Sequence, residues 1–113
     1  MGTSVRDLKY LLETVLQCEC DESRSHIRYS LKVNGRIVAQ THYSHSWRGN
    51  KQIDDSMLSL QAKEMRCSNR TWKLLLLGQT SKEVYFKELL QRGHISQEEF
   101  DVLCSGGSTS KKG

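Results

Sequence analysis

The segment from His26 to Val33 alternates strictly between apolar and polar residues and runs straight into Asn34-Gly35. Ile27, Tyr29, Leu31 and Val33 fall on one side of an extended chain, and His26, Arg28, Ser30 and Lys32 on the other. That is the period-two pattern of a half-buried strand. Asn-Gly is the dipeptide that most readily takes the positive φ angles of a tight hairpin turn. A second strand is expected over roughly 36–44, with Ile37, Ala39, Thr41 and Tyr43 on one face. A two-residue loop pairs Val33 with Arg36 and sends the apolar sets of the two strands to opposite faces. A three-residue loop with Gly35 at a bulge pairs Lys32 with Arg36. It then sets Leu31 against Ile37, Tyr29 against Ala39 and Ile27 against Thr41. Burial of one face selects register, so the second arrangement is expected. It puts His26 directly across from His42, on a face shared with Arg28, Ser30, Lys32, Arg36 and Gln40.

Elsewhere the pattern is helical. Val5, Leu8, Leu11, Leu12 and Val15 recur at helical spacing over 4–17, with Ser4 and Asp7 placed as a capping box. Residues 18–25 read as a polar connection. A helix is expected from Asp54 or Asp55 to about Arg66, with Met57, Leu58, Ala62 and Met65 inward. A short one over 69–77 stops at Gly78. Thr80 with Glu83, and Ser96 with Glu99, mark two further capping boxes. The first opens a helix ending at Gly93, the second a last helix through Leu103. The expected architecture is α+β: an N-terminal helix, an antiparallel hairpin sheet, then helices packed on its apolar face.

The chain has 113 residues, the size of one domain, which is expected over 1–104. Residues 105–113 contain only Ser, Gly, Thr and Lys and are expected to be a disordered tail. No apolar run approaches the roughly 18 residues of a membrane helix, so no membrane partner is expected. Asp7 and Glu13 interrupt any basic-then-apolar leader. The expected location is cytoplasmic, with Cys18, Cys20, Cys67 and Cys104 reduced.

Charge is unevenly distributed. From Ser23 to Ile53 there is no Asp or Glu. The same stretch holds Arg24, Arg28, Lys32, Arg36, Arg48 and Lys51, together with His26, His42 and His45. Clustered positive charge points to a polyanion partner, nucleic acid above all. A solvated basic face is the plainer alternative. Trp47, next to Arg48, either stacks on a base or plugs the end of the core. Trp72, among leucines, belongs to the core.

Two histidines on one face suit metal-independent RNA cleavage. One imidazole takes the proton of the 2′-hydroxyl, and another protonates the leaving oxygen. His26 and His42 are the candidates, with Arg and Lys neighbours to hold the phosphate. Cys18, Cys20, His42 and His45 also make up a donor set that zinc accepts, although not at finger spacing. Cys18 serves equally well as a small core residue, and no cofactor is expected.

The helix followed by Ser25-His26-Ile27-Arg28-Tyr29 resembles the HicA-type mRNA interferase toxins of toxin–antitoxin systems. Gly93-His94-Ile95-Ser96-Gln97-Glu98-Glu99-Phe100 is similar to that family's C-terminal ending. The resemblance implies a fold like a double-stranded-RNA-binding domain, His26 as the catalytic histidine, RNA as substrate and an antitoxin protein as partner. Arg24 stands where the family has glycine, its third strand is not evident, and the helical segment 54–92 is longer than the family's. The leading expectation is a toxin-like endoribonuclease binding RNA through Arg24, Arg28, Lys32, Arg36, His45, Trp47, Arg48 and Lys51. A non-enzymatic nucleic-acid- or protein-binding regulatory module is the alternative.

Overall fold

The computed structural model describes residues 4–22, 26–44 and 51–105. Helix α1 (Val5–Tyr10) continues into a π-helical turn, Leu11–Val15. Strands β1 (Glu19–Glu22), β2 (His26–Val33) and β3 (Arg36–Ser44) follow. Helices α2 (Asp55–Glu64), α3 (Asn69–Leu77), α4 (Lys82–Gln91) and α5 (Gln97–Cys104) complete the order. The α+β architecture is the expected one. Most of the tail lies outside the described residues.

The helix ends follow local chemistry. Ser4 Oγ accepts from the Asp7 N–H at 3.3 Å while the Asp7 carboxylate accepts from the Ser4 N–H at 3.2 Å. Ser96 and Glu99 close the same box at the start of α5. Thr80 and Glu83 do not. The N-cap of α4 is Ser81, which makes no side-chain capping bond. Glu83 is then the second helical residue, one short of the position a box requires. The first helix also departs from a uniform 3.6 period. Leu16 N–H donates to Leu11 C=O at 2.9 Å, a bond spanning five residues. The extra residue in that turn moves the inward position from Val15, which is half-buried, to Leu16, which is buried.

The sheet has three antiparallel strands in the order β1-β2-β3. β1 falls within the segment expected to be a polar connection. Its sequence, Glu-Cys-Asp-Glu, has no apolar alternation, and all four residues are exposed. It forms because β2 presents an edge whose backbone groups need partners. Glu19 pairs with Ser30, Cys20 with Tyr29, Asp21 with Arg28 and Glu22 with Ile27.

The hairpin register differs from the expected one. Val33 pairs with Arg36 across a two-residue turn, and Asn34 and Gly35 have φ of 52° and 81°. Both angles are positive, as a type I′ turn requires. The bulge lies within β3 instead. Lys32 pairs with Ile37 and Leu31 with Ala39, leaving Val38 without a partner. One unpaired residue there restores the alignment of Leu31, Tyr29 and Ile27 with Ala39, Thr41 and Tyr43. The conflict that argued against the short turn is thereby removed. Consecutive Val38 and Ala39 are both buried, and Ile37 is thrown onto the outer face, 47% exposed.

The helices close over the other face. Trp72, Tyr29, Tyr85, Leu8, Leu12 and Leu89 lie in one core with Leu31 and Val33. Three of its polar side chains donate within the protein. Trp72 Nε1–H donates to Gln61 Oε1 at 3.1 Å, and the Tyr85 hydroxyl donates to the Met65 carbonyl at 2.9 Å. The Tyr29 hydroxyl donates to Glu13. Leaving any one of these buried groups unpaired would cost about 1–3 kcal/mol. Among the described residues no helix is long and apolar enough to cross a membrane.

The two-residue turn puts Arg36 on the same face as Val33, toward the helices. Its guanidinium donates to Glu99 at 2.6 and 3.1 Å and to the His94 carbonyl at 3.1 Å. The bond to Arg36, followed by the one from the Ser96 backbone, holds the Glu99 carboxyl below its ordinary value. A depressed carboxyl stabilises the fold above the ordinary carboxylate range and loses that contribution as pH falls through its folded value. Arg36→Ala should therefore lower the denaturation midpoint at neutral pH, and its deficit against wild type should shrink on acidification. Denaturant titrations across the acid range check this. A deficit independent of pH would contradict the pairing.

Candidate functional site

His26 is the first residue of β2, and His42 lies two residues before the end of β3. In the observed register His26 pairs with Ser44 and His42 with Arg28, so the histidines are diagonal neighbours on the outer face. The diagonal brings them together. Their ring centroids are 5.0 Å apart and the planes stand at 78°, edge to face. Helix α2 runs past the edge of β3 beside them. Glu64 reaches over that edge: it accepts from Thr41 Oγ1 at 2.6 Å, and its second oxygen is 4.0 Å from His42 Nδ1. The second distance allows an ion pair once His42 carries a proton. A cleft of about 180 Å³ lies between, lined among others by His26, His42, Met57, Leu60, Gln61 and Glu64.

The expected cationic residues divide into three groups. Arg24, His45, Trp47 and Arg48 lie outside the described residues. Arg28 and Lys32 share the outer face with the histidines. Arg36 was expected there too, but it faces the helices and is held by Glu99. Lys51 is described and lies next to the first turn of α1, its carbonyl accepting from the Val5 N–H at 2.8 Å. The outer face is also less basic than the sequence implied. β1 sets Asp21 beside Arg28, and Glu19 pairs with Lys32 at 2.8 Å. The acids of one strand thus interleave with the bases of the next. Such a face offers a local cationic group at Arg28 rather than a long track for a polyanion.

The described members of the zinc-like set are not brought together. Cys18 is buried in the core. Cys20 sits in the row of Tyr29 and Thr41, on the helix side of β1. His42 is on the opposite face, two strands away. Among the described residues no three His, Cys, Asp or Glu side chains converge as metal ligands. His94, expected to be a helix-terminal residue, lies just before α5 with Nδ1 3.5 Å from Arg66. Burial, with Arg66 and Arg92 nearby, pushes its imidazole below the ordinary value.

Sequence reasoning missed Gln61 and Glu64. Gln61 is polar, yet it sits three residues after Leu58 and four before Met65, on the inward stripe of α2, and it is 3% exposed. A polar residue within an apolar helical stripe was the available signal. Glu64 follows three residues later on the same face.

Burial separates the cysteines. The Cys18 and Cys67 thiols are each pushed up to about 12, chiefly by desolvation. Cys20 is exposed. Timed labelling at neutral pH should therefore modify Cys20 first, Cys104 more slowly, and Cys18 and Cys67 only as the protein opens. Mass spectrometry of the labelled peptides reads the order. Rapid modification of Cys18 or Cys67 would contradict this packing.

No protein-family model matches the chain, and no curated protein or solved structure matches it.

Proposed function

We propose that the chain is a metal-independent endoribonuclease of toxin type in which His26 and His42 share the acid and base roles. The observation that carries this reading is the pair of imidazoles 5.0 Å apart on one open sheet face, with Arg28 directly across from His42. One imidazole removes the 2′-hydroxyl proton as that oxygen attacks the adjacent phosphorus. The 5′-oxygen leaves with a proton from the other imidazole. The products are a 2′,3′-cyclic phosphate and a 5′-hydroxyl end. Arg28 offsets the charge that builds on the phosphate oxygens.

The resemblance of Ser25-His26-Ile27-Arg28-Tyr29 to HicA-type interferases points the same way. β1 precedes the motif, so His26 opens the second strand of the sheet, whereas the resemblance has the motif open the first. An antitoxin-like protein would be the natural partner of such an enzyme. The acids of β1 weaken the case for a broad electrostatic binding module, because they neutralise much of the face such a module would use.

The test is cleavage of RNA by purified protein in the presence of a metal chelator. His26→Ala should lower the rate by roughly 10²–10⁴-fold while leaving RNA binding nearly intact. His26→Gln keeps size and some hydrogen bonding without proton transfer, so it should be nearly as impaired. Two histidines sharing the work should give a bell-shaped rate profile against pH. Tight binding by wild type with no cleavage would move the assignment to a non-enzymatic RNA-binding module.

A further inference from the structure

Thr41 and His42 are consecutive in β3, so their side chains lie on opposite faces of the sheet. Thr41 is buried against the helices, while 46% of the His42 side chain is exposed on the outer face. One carboxylate nevertheless meets both. Glu64, the last residue of α2, accepts from the Thr41 hydroxyl through Oε1 at 2.6 Å and sets Oε2 4.0 Å from His42 Nδ1. A group arriving at the edge of the strand can reach both faces, and α2 delivers Glu64 there. The buried hydroxyl fixes the carboxylate, and the carboxylate faces one particular nitrogen of the imidazole.

A neutral imidazole carries its proton on one nitrogen and a lone pair on the other, and the neighbour of one nitrogen decides which. A negative oxygen beside Nδ1 repels a lone pair there and attracts an N–H. Nδ1 therefore keeps the proton, and Nε2, on the far side of the ring, is left with the lone pair. The same carboxylate stabilises the imidazolium that forms when Nε2 takes a second proton. That helps a ring that must accept a proton and hinders one that must give it up. Contacts of this kind are often long in a free enzyme and tighten around substrate.

We infer that Glu64 is a positioning residue that makes His42 the base, with Nε2 as its reacting nitrogen, and leaves the acid role to His26. The inference rests on the endoribonuclease reading and adds to it the direction of proton flow. The two rings, 5.0 Å apart, line one cleft with Glu64 and so can serve one phosphate. His42 Nε2 takes the 2′-hydroxyl proton as the 2′-oxygen bonds to phosphorus. The bond from phosphorus to the 5′-oxygen breaks, and the electron pair it leaves on that oxygen takes a proton from His26. The rings end with their protonation states exchanged and return through solvent. Glu64 stays ionised throughout.

Nitrogen-15 NMR of the His42 ring, at a pH where it is neutral, reads the tautomer in the full chain without RNA. Wild type should carry the proton on Nδ1. Glu64→Gln has the same shape and keeps an oxygen for Thr41, so its amide nitrogen replaces Oε2 and donates to Nδ1. The ring proton should then move to Nε2. In the cleavage assay with chelator, this variant should lose roughly 10²–10⁴-fold in kcat with KM little changed. Thr41→Val frees the carboxylate and should lose less, in the same direction. A purely structural role for Glu64 would not move a proton between two nitrogens of another residue. A wild-type proton on Nε2, a tautomer unchanged in Glu64→Gln, or full kcat in that variant would each overturn the inference and leave the nuclease reading standing. Wild type that does not cut RNA would overturn the nuclease reading, and the base role with it, even with the proton on Nδ1.

Discussion

The pairing of β2 with β3 is the constraint on which the site depends. Three features define it: the Asn34-Gly35 turn with both φ angles positive, the pairing of Val33 with Arg36, and the unpaired Val38. Shifting a strand by one residue exchanges its faces. Without the bulge, Ala39, Thr41 and Tyr43 would leave the core and His42 would enter it. With it, the tip of β3 obeys one alternation and the remainder obeys the other. Arg36 thus belongs to the helix side and His42 to the outer side, although both are at even positions of one strand.

That split connects packing to electrostatics. Arg36 becomes a strut between the hairpin tip and the start of α5, bonded to Glu99 and to the His94 carbonyl. Glu99 serves twice, since it also accepts from the Ser96 N–H that opens the helix. The outer face loses Arg36 and gains the acids of β1. What remains there is compact: two imidazoles in edge-to-face contact, Arg28 in the row of His42, and Glu64 arriving from α2.

Helix α2 links this face to the core. Its inward stripe packs Leu58, Ala62 and Met65, all buried. The Gln61 amide oxygen is held by the buried Trp72 indole, while the same residue lines the histidine cleft. The side chain that satisfies a core donor is therefore the one that gives the cleft its polar floor. The orientation of that side chain is set by its bond to the core.

The sequence by itself determined the hairpin strands and the helices. Strict alternation before Asn34-Gly35 defined the hairpin, Ser4 with Asp7 and Ser96 with Glu99 defined two helix starts, and Gly78 defined a helix end. These signals are local: each depends on residues within a turn or two of one another. Tertiary structure decided what local signals do not encode. Glu-Cys-Asp-Glu became a strand because β2 offered an edge, a long-range pairing with no period of its own. The bulge moved from Gly35 to Val38 because a type I′ turn and burial of Ala39 could both be satisfied that way, and that balance involves helices far along the chain. His26 and His42 were legible as one-face neighbours, and they meet on a diagonal rather than directly across. Gln61 and Glu64 joined them because α2 packs against the edge of β3, a contact spanning some twenty residues of sequence.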